Sequence, residues 1–207
     1  MPVMSKVERA FCRSAPWRAF TGRVVLPWVL GDTKLSGDVL EIGSGPGANA
    51  QVLLETHPCV QLTATDLDPV MVSAARRRLA RFADRVSVTE ADATGLAFDD
   101  ERFDAAVSLL MLHHVIDWRD TLGELARVLR PGGTLVGYDL TNRLGARVVH
   151  LADRSPHRLL DPSELADGLN DAGFAAVHVD TAVFGTVARF CATAPVEATR
   201  PTPEVHQ

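Results

Sequence analysis

The stretch VLEIGSGPGANA, Val39–Ala50, decides the fold. An apolar β-prone run, Val39–Ile42, breaks into Gly43, Gly45 and Gly47 and then turns into a helical pattern through NAQVLLET. A strand, a glycine turn and a helix in that order form the opening unit of a nucleotide-binding α/β sheet. The loop satisfies both G-x-G-x-G and G-x-G-x-x-A, and the missing Cβ atoms let the main chain approach a ligand closely. Pro46 is expected in the first turn of the helix. Glu41, just before the glycines, is the unusual residue. A dinucleotide lays a pyrophosphate on such a turn, drawn by amide N–H groups and the helix dipole. A carboxylate beside it would repel that anion, since two unit charges ~4 Å apart at an effective dielectric of ~20 interact by roughly 4 kcal/mol. A phosphate-free cofactor with a cationic end suits the acid instead.

The same alternation continues outward. Val60–Thr65 reads as a second strand, closed by Asp66, which is placed to accept from both ribose hydroxyls of an adenosine. The following helix, DPVMVSAARRRLARFADR, has Asp68 as its cap and puts Met71, Ala75, Leu79 and Phe82 on one face. Arg77, Arg81 and Arg85 fall on another side and read as a solvated stripe. The third strand, Val86–Asp92, ends on an acid that could accept from an adenine amino group or serve only as a turn residue. A loop, ATGLAFDDER, precedes a fourth strand, FDAAVSLL. The helix WRDTLGELARVL stops at RPGG, and TLVGYDL forms a fifth strand. Asp161-Pro162-Ser163-Glu164 carries a helix start with cap, proline and acid in the favoured order. The last two β runs have no room for a helix between them and must pair antiparallel. Five β/α repeats thus lead into a terminal hairpin.

The 207 residues suit one domain with a short appendage, 46% of them hydrophobic, and the net charge of −5 lacks the basic footprint of a duplex nucleic acid binder. Cys12, Cys59 and Cys191 are scattered, which fits reduced thiols in the cytoplasm and offers no metal centre. No apolar run is long enough to span a bilayer, and the charged N-terminus is no secretion signal. Residues 1–34, with Trp17, Phe20 and Trp28, are expected to be helical and to cover a substrate pocket. Residues 35–194 form the main domain, and 195–207 are expected to be a disordered tail.

With these motifs in order, the chain resembles the class I S-adenosylmethionine-dependent methyltransferases, and within them the small quinone-biosynthesis-like enzymes. VLEIGSGPG, ATDLDPVMV, EADATGLAFDDERFDAAVS and ELARVLRPGGTLVGYDL carry the resemblance over Leu35–Ala194. It implies a Rossmann-like, doubly wound α/β sheet of seven mostly parallel strands that ends in an antiparallel hairpin. It also implies S-adenosylmethionine as cofactor. Gly43, Gly45 and Gly47 would border its methionine part, with Glu41 near the ammonium. Asp66 would hold the ribose, with Leu67 packed on the adenine. Asp92 and Ala93 would read the adenine edge, and Ser108 and Leu109 would form the floor near the methyl.

His113 and His114 follow the fourth strand; they cap or hydrogen-bond the local loop, or they are the candidate bases for an acceptor that must lose a proton. Adjacent side chains are expected to point apart, which argues against a shared metal. Tyr138 and Asp139 lie on the same edge, while His150 and His157 read as surface residues. The reading is methyl transfer to a small apolar or aromatic acceptor by a monomer or homodimer. A nicotinamide-dependent oxidoreductase and a non-catalytic cofactor-binding module are the alternatives. TNRLGARVVHLADRSPHRL and the N-terminal region, which would cover the acceptor, match no pattern that identifies it.

Overall fold

A computed structural model describes residues 20–142 and 159–196. The expectations for Cys12, Trp17, His150, His157, most of the N-terminal cover and nearly all of the tail fall outside these residues. A wide helical turn, Thr21–Val25, runs directly into α1, Leu26–Leu30. Then follow β1 (Gly37–Ile42), α2 (Ala48–Thr56), β2 (Val60–Asp66), α3 (Pro69–Leu79) and β3 (Val86–Glu90). After these come β4 (Phe103–Leu109), α4 (Trp118–Val128), β5 (Leu129–Leu140), α5 (Pro162–Asp171), β6 (Ala175–Ala182) and β7 (Val187–Thr193).

The seven strands form one sheet in the order β3-β2-β1-β4-β5-β7-β6. β7 runs antiparallel to both its neighbours, and every other pairing is parallel. The order reverses between β1 and β4, so a crevice opens at their carboxyl ends, where open α/β sheets take ligands. The expected doubly wound sheet with its closing hairpin is therefore present.

Alternation along the strands fills two apolar layers. Val39, Ala64, Val107 and Val136 face α1, α2 and α3, while Leu40, Ile42, Ala106 and Leu135 face α4 and α5. On α4, Trp118, Leu122, Leu125 and Val128 recur at helical spacing and are sealed from solvent. Each aliphatic member contributes about 1.5–3 kcal/mol. α4 meets α5 where Gly168 leaves room for the Trp118 ring, which would lie 2.5 Å from an added Cβ.

Several local expectations shift. α2 begins at Ala48 with Gly47 as its cap, so Pro46 lies in the turn before the helix. α3 ends at Leu79, and Phe82 sits half-buried at a non-helical kink in the short turn behind it. Arg85 is no solvated residue: its guanidinium donates to the carbonyls of Leu54, His57 and Pro58 and closes the end of α2. Arg81 pairs with Glu55 on the same helix. β3 stops at Glu90, two residues short of Asp92, and the chain returns to β4 through a loop without a helix. Arg127 of α4 clamps that loop by donating to the carbonyls of Leu96 and Phe98 at 2.8 Å each. The cap at Asp161 is as expected, its carboxylate accepting from the Ser163 N–H at 2.9 Å. Phe20 is 49% exposed and joins neither core.

Candidate functional site

The site is the carboxyl edge of β1, β2 and β4. Gly43, Gly45 and Gly47 all adopt positive φ, the left-handed region in which glycine carries no Cβ penalty. Their surroundings differ. A Cβ on Gly43 would lie 2.1 Å from the Met111 side chain, and one on Gly47 would press on Ala75 and Leu79 of α3. A Cβ on Gly45 would meet nothing within 4 Å. Two of the three glycines are thus required by packing, whereas Gly45, itself buried, has room beside it among the described residues. Met111 is a wall of the loop that the sequence pattern did not single out. Its only signal is an apolar residue directly after a strand that ends in the crevice.

Glu41 points into the layer shared with α1–α3 and is 1% exposed. Neither carboxylate oxygen has a hydrogen-bond partner. Burial, aided by the negative charge of Asp66, pushes its carboxyl up to about 8. An unpaired buried acid at a crevice is costly to the fold, and such costs concentrate where a ligand supplies the missing partner.

Asp66 ends β2 as expected and ties the glycine turn to it. Its Oδ2 accepts from the Gly45 N–H at 2.7 Å and its Oδ1 from the Asp68 N–H at 2.9 Å. Burial raises its carboxyl above the usual range despite these bonds. Each oxygen keeps a second lone pair for a hydroxyl donor. Leu67 is half-buried beside it. Asp92 is a turn residue: its Oδ1 accepts from both the N–H and the hydroxyl of Thr94, at 2.9 and 2.7 Å. This leaves its Oδ2 for any ligand. The Ala93 and Leu109 side chains are packed in the two cores. Ser108 lies in register with Ile42, and its Oγ is buried without a partner. The Ser44 hydroxyl inside the glycine loop is in the same condition, a feature that sequence reasoning passed over.

After β4 the backbone takes φ 59° at Leu110, a left-handed conformation rare for leucine. A short 3-10 turn, Leu112–His114, follows. It stacks the two histidine rings with centroids 3.9 Å apart, so the side chains do not diverge as expected. Among the described residues, no three His, Cys, Asp or Glu side chains gather into a metal-binding group. His113 is buried, and its Nδ1 lies 2.5 Å from Asp139 Oδ1 at the end of β5. Asp139 Oδ2 also accepts from the His113 N–H at 3.2 Å. Burial alone would raise the Asp139 carboxyl, but the charge of His113 and the hydrogen bonds it receives hold it below the usual carboxylate range. Tyr138 does not face the edge: it packs in the core, edge-on to Trp28 with ring centroids 6.3 Å apart.

Known proteins with this arrangement are consistent in kind. The family model described as "Methyltransferase domain" matches residues 40–137. The demethylmenaquinone methyltransferase of Clavibacter sepedonicus is 32% identical over 197 residues, covering 83% of this chain and 77% of that protein. Its counterpart in Thermus thermophilus is 38% identical over 98 residues, which span 47% of this chain and 44% of that protein. Among solved structures, phosphoethanolamine N-methyltransferase 2 of Haemonchus contortus, in complex with S-adenosyl-L-methionine, superposes with a TM-score of 0.71. That match has 16% identity and covers 93% of this chain and 57% of the other, a likeness of fold alone. Glycine turn, strand order and relatives agree: the chain belongs to the class I S-adenosylmethionine-dependent methyltransferases of the quinone-biosynthesis type.

Proposed function

We propose that the enzyme binds S-adenosylmethionine across the Gly43–Gly47 turn and methylates a small apolar or aromatic acceptor, with a quinol the favoured class. The observation that carries this reading is Glu41, a sealed carboxyl group with no partner beside a turn that leaves room at Gly45. That pairing suits the ammonium of the cofactor, which can offset the cost of ionising the buried acid, whereas a pyrophosphate cannot, and this disfavours a nicotinamide dinucleotide. Asp66 would receive the ribose hydroxyls, Leu67 would pack on the adenine, and Asp92 and the Ala93 backbone would read its edge. Ser108 and the Leu109 backbone would form the floor. The helical lead-in, residues 1–34, would cover the acceptor, and residues 35–194 would form the catalytic domain. The names of the relatives support a quinone-like acceptor, and we place the enzyme in the cytoplasm as a monomer or homodimer. Among the described residues, no helix is long and apolar enough to cross a membrane.

When bound, S-adenosylmethionine supplies an electrophilic methyl group on a sulfonium. The work of the chain is to align and to keep water out, which is catalysis by proximity. A phenolic or carbon-acid acceptor must also lose a proton. In its neutral form His113 would donate its Nδ1–H to Asp139, and a proton taken from the acceptor would then go to Nε2. His114, stacked on that ring, would hold its plane.

Isothermal calorimetry and product analysis test this reading. S-adenosylhomocysteine should bind saturably, NADH should not, and labelled methyl from the donor should appear on a demethylated quinol. Saturable NADH binding without S-adenosylhomocysteine binding would overturn the assignment. Tight cofactor binding without transfer to any of a broad acceptor panel would favour a binding module.

A further inference from the structure

We propose that Glu41 is protonated in the free enzyme and surrenders its proton to solvent as the cofactor's ammonium arrives, so that cofactor binding tightens as pH rises. This deepens the cofactor reading above and rests on it. Glu41 is 1% exposed, no hydrogen bond reaches either oxygen, and Ala64 and Val107 are its register neighbours on the flanking strands. A carboxylate there would be an uncompensated buried charge, which proteins avoid by keeping the proton.

The surrounding charges offer no relief. On β1 itself, Asp38 lies at the opposite end and is bound to Arg102 and Arg130. β2 presents Asp66, which has the same sign as Glu41 and acts on it unfavourably. On β4, Asp104 is at the far end with Arg130. On β5, Asp139 is committed to His113. α1 carries no titratable residue, and Arg23 in the turn before it is exposed. Glu55 of α2 pairs with Arg81, and Arg76 of α3 donates to the Val88 carbonyl. Arg78 of α3, with its Nη1 buried, is not among the charges acting on Glu41, and among the described residues no cation is, so the proposal assigns that part to the ligand's ammonium. The proton balance is simple: the carboxyl becomes a carboxylate, one proton goes to buffer, and the ligand's ammonium keeps its own.

S-adenosylhomocysteine is the probe, titrated calorimetrically in buffers of differing ionisation enthalpy. Wild type should release close to one proton per site at pH 7, and Kd should fall by up to about tenfold per unit between pH 6 and 7.5. Deprotonation of the ligand's own amine would weaken binding as pH rises, so it cannot mimic this slope. Glu41→Gln should bind at least about tenfold more weakly at pH 8, with neither proton release nor slope. Asp66→Asn should keep the release. In wild type, the infrared band of a buried protonated carboxyl group should vanish on ligand addition, a readout independent of any variant. Binding without proton release, or equal release by the Gln variant, would overturn the proposal. Absence of binding in wild type would instead overturn the cofactor reading beneath it.

Discussion

Glu41 and Asp139 sit near the carboxyl ends of β1 and β5, on either side of β4, and each is 1% exposed. Their chemistry is opposite. Asp139 accepts from His113 Nδ1, the His113 N–H and the Leu140 N–H, and its carboxyl is held low. Glu41 accepts from nothing and its carboxyl is pushed up. Burial costs a carboxylate the same in both places, so the partners alone decide the outcome. A satisfied buried acid fixes structure, here the end of β5 to the turn after β4. An orphaned one marks a place where the fold leaves an interaction for something else to complete.

The largest expected effect comes from removing the satisfied partner. Asp139→Ala should lower stability by about 3–5 kcal/mol in urea titrations, because it strands a buried histidine. Its pH dependence has a definite sign. A folded carboxyl held below its unfolded value stabilises above the unfolded pKa and loses that contribution as pH falls through the folded value. The wild type should therefore lose stability in acid more steeply than Asp139→Asn. A loss under about 1 kcal/mol would break the contrast by making Asp139 as dispensable as an orphan.

Glu41 should behave in the reverse sense. Its carboxyl is raised from 4.5 to about 8, so between those values the unfolded chain has released a proton that the folded chain still holds. Stability must then fall as pH rises through that window. The shift bounds the cost at about 5 kcal/mol, and a buried unpaired amide would return part of it. Glu41→Gln should thus gain roughly 1–3 kcal/mol at pH 8, with a flatter stability curve from pH 5 to 8, measured by urea midpoints. A destabilised variant would mean that Glu41 has a structural partner.

How far this contrast was readable beforehand depends on what each residue's role requires. Glu41 and the glycines stand in one short strand-turn-helix unit and Asp66 ends the next strand, where order along the chain largely dictates position; the terminal hairpin followed from the short link between the last two strands, and the seven-stranded sheet from the family resemblance. Which glycines are held by packing was not legible, because it depends on Met111 and on Ala75 and Leu79, brought in from other elements. Asp139 carried only a weak claim for the same reason: His113 is 26 residues away, and only the pairing of β4 with β5 brings them together. The end of β3 and the surroundings of Arg85 were misread. A strand can stop two residues early to make a turn with Thr94, and an arginine in a helical stripe can bend back onto the carbonyls of another helix. Pairings made in three dimensions leave no period in the sequence.

The smallest expected effect is also the finest test of orphan against anchor. The Ser108 hydroxyl is fully buried and unpartnered, like Glu41, but carries no charge. Ser108→Ala removes an unmet hydrogen-bonding group at the expense of a very small void, so stability should change by no more than about 1 kcal/mol, in either direction. If the hydroxyl completes the cofactor floor, S-adenosylhomocysteine affinity should drop by about 0.5–1.5 kcal/mol in calorimetry, the worth of one neutral hydrogen bond. The two measurements must be read together. Lost affinity at constant stability places Ser108 with Glu41, among groups the fold holds ready for a ligand. Lost stability at constant affinity would place it with Asp139, and the carboxyl end of β4 would then be scaffold rather than site.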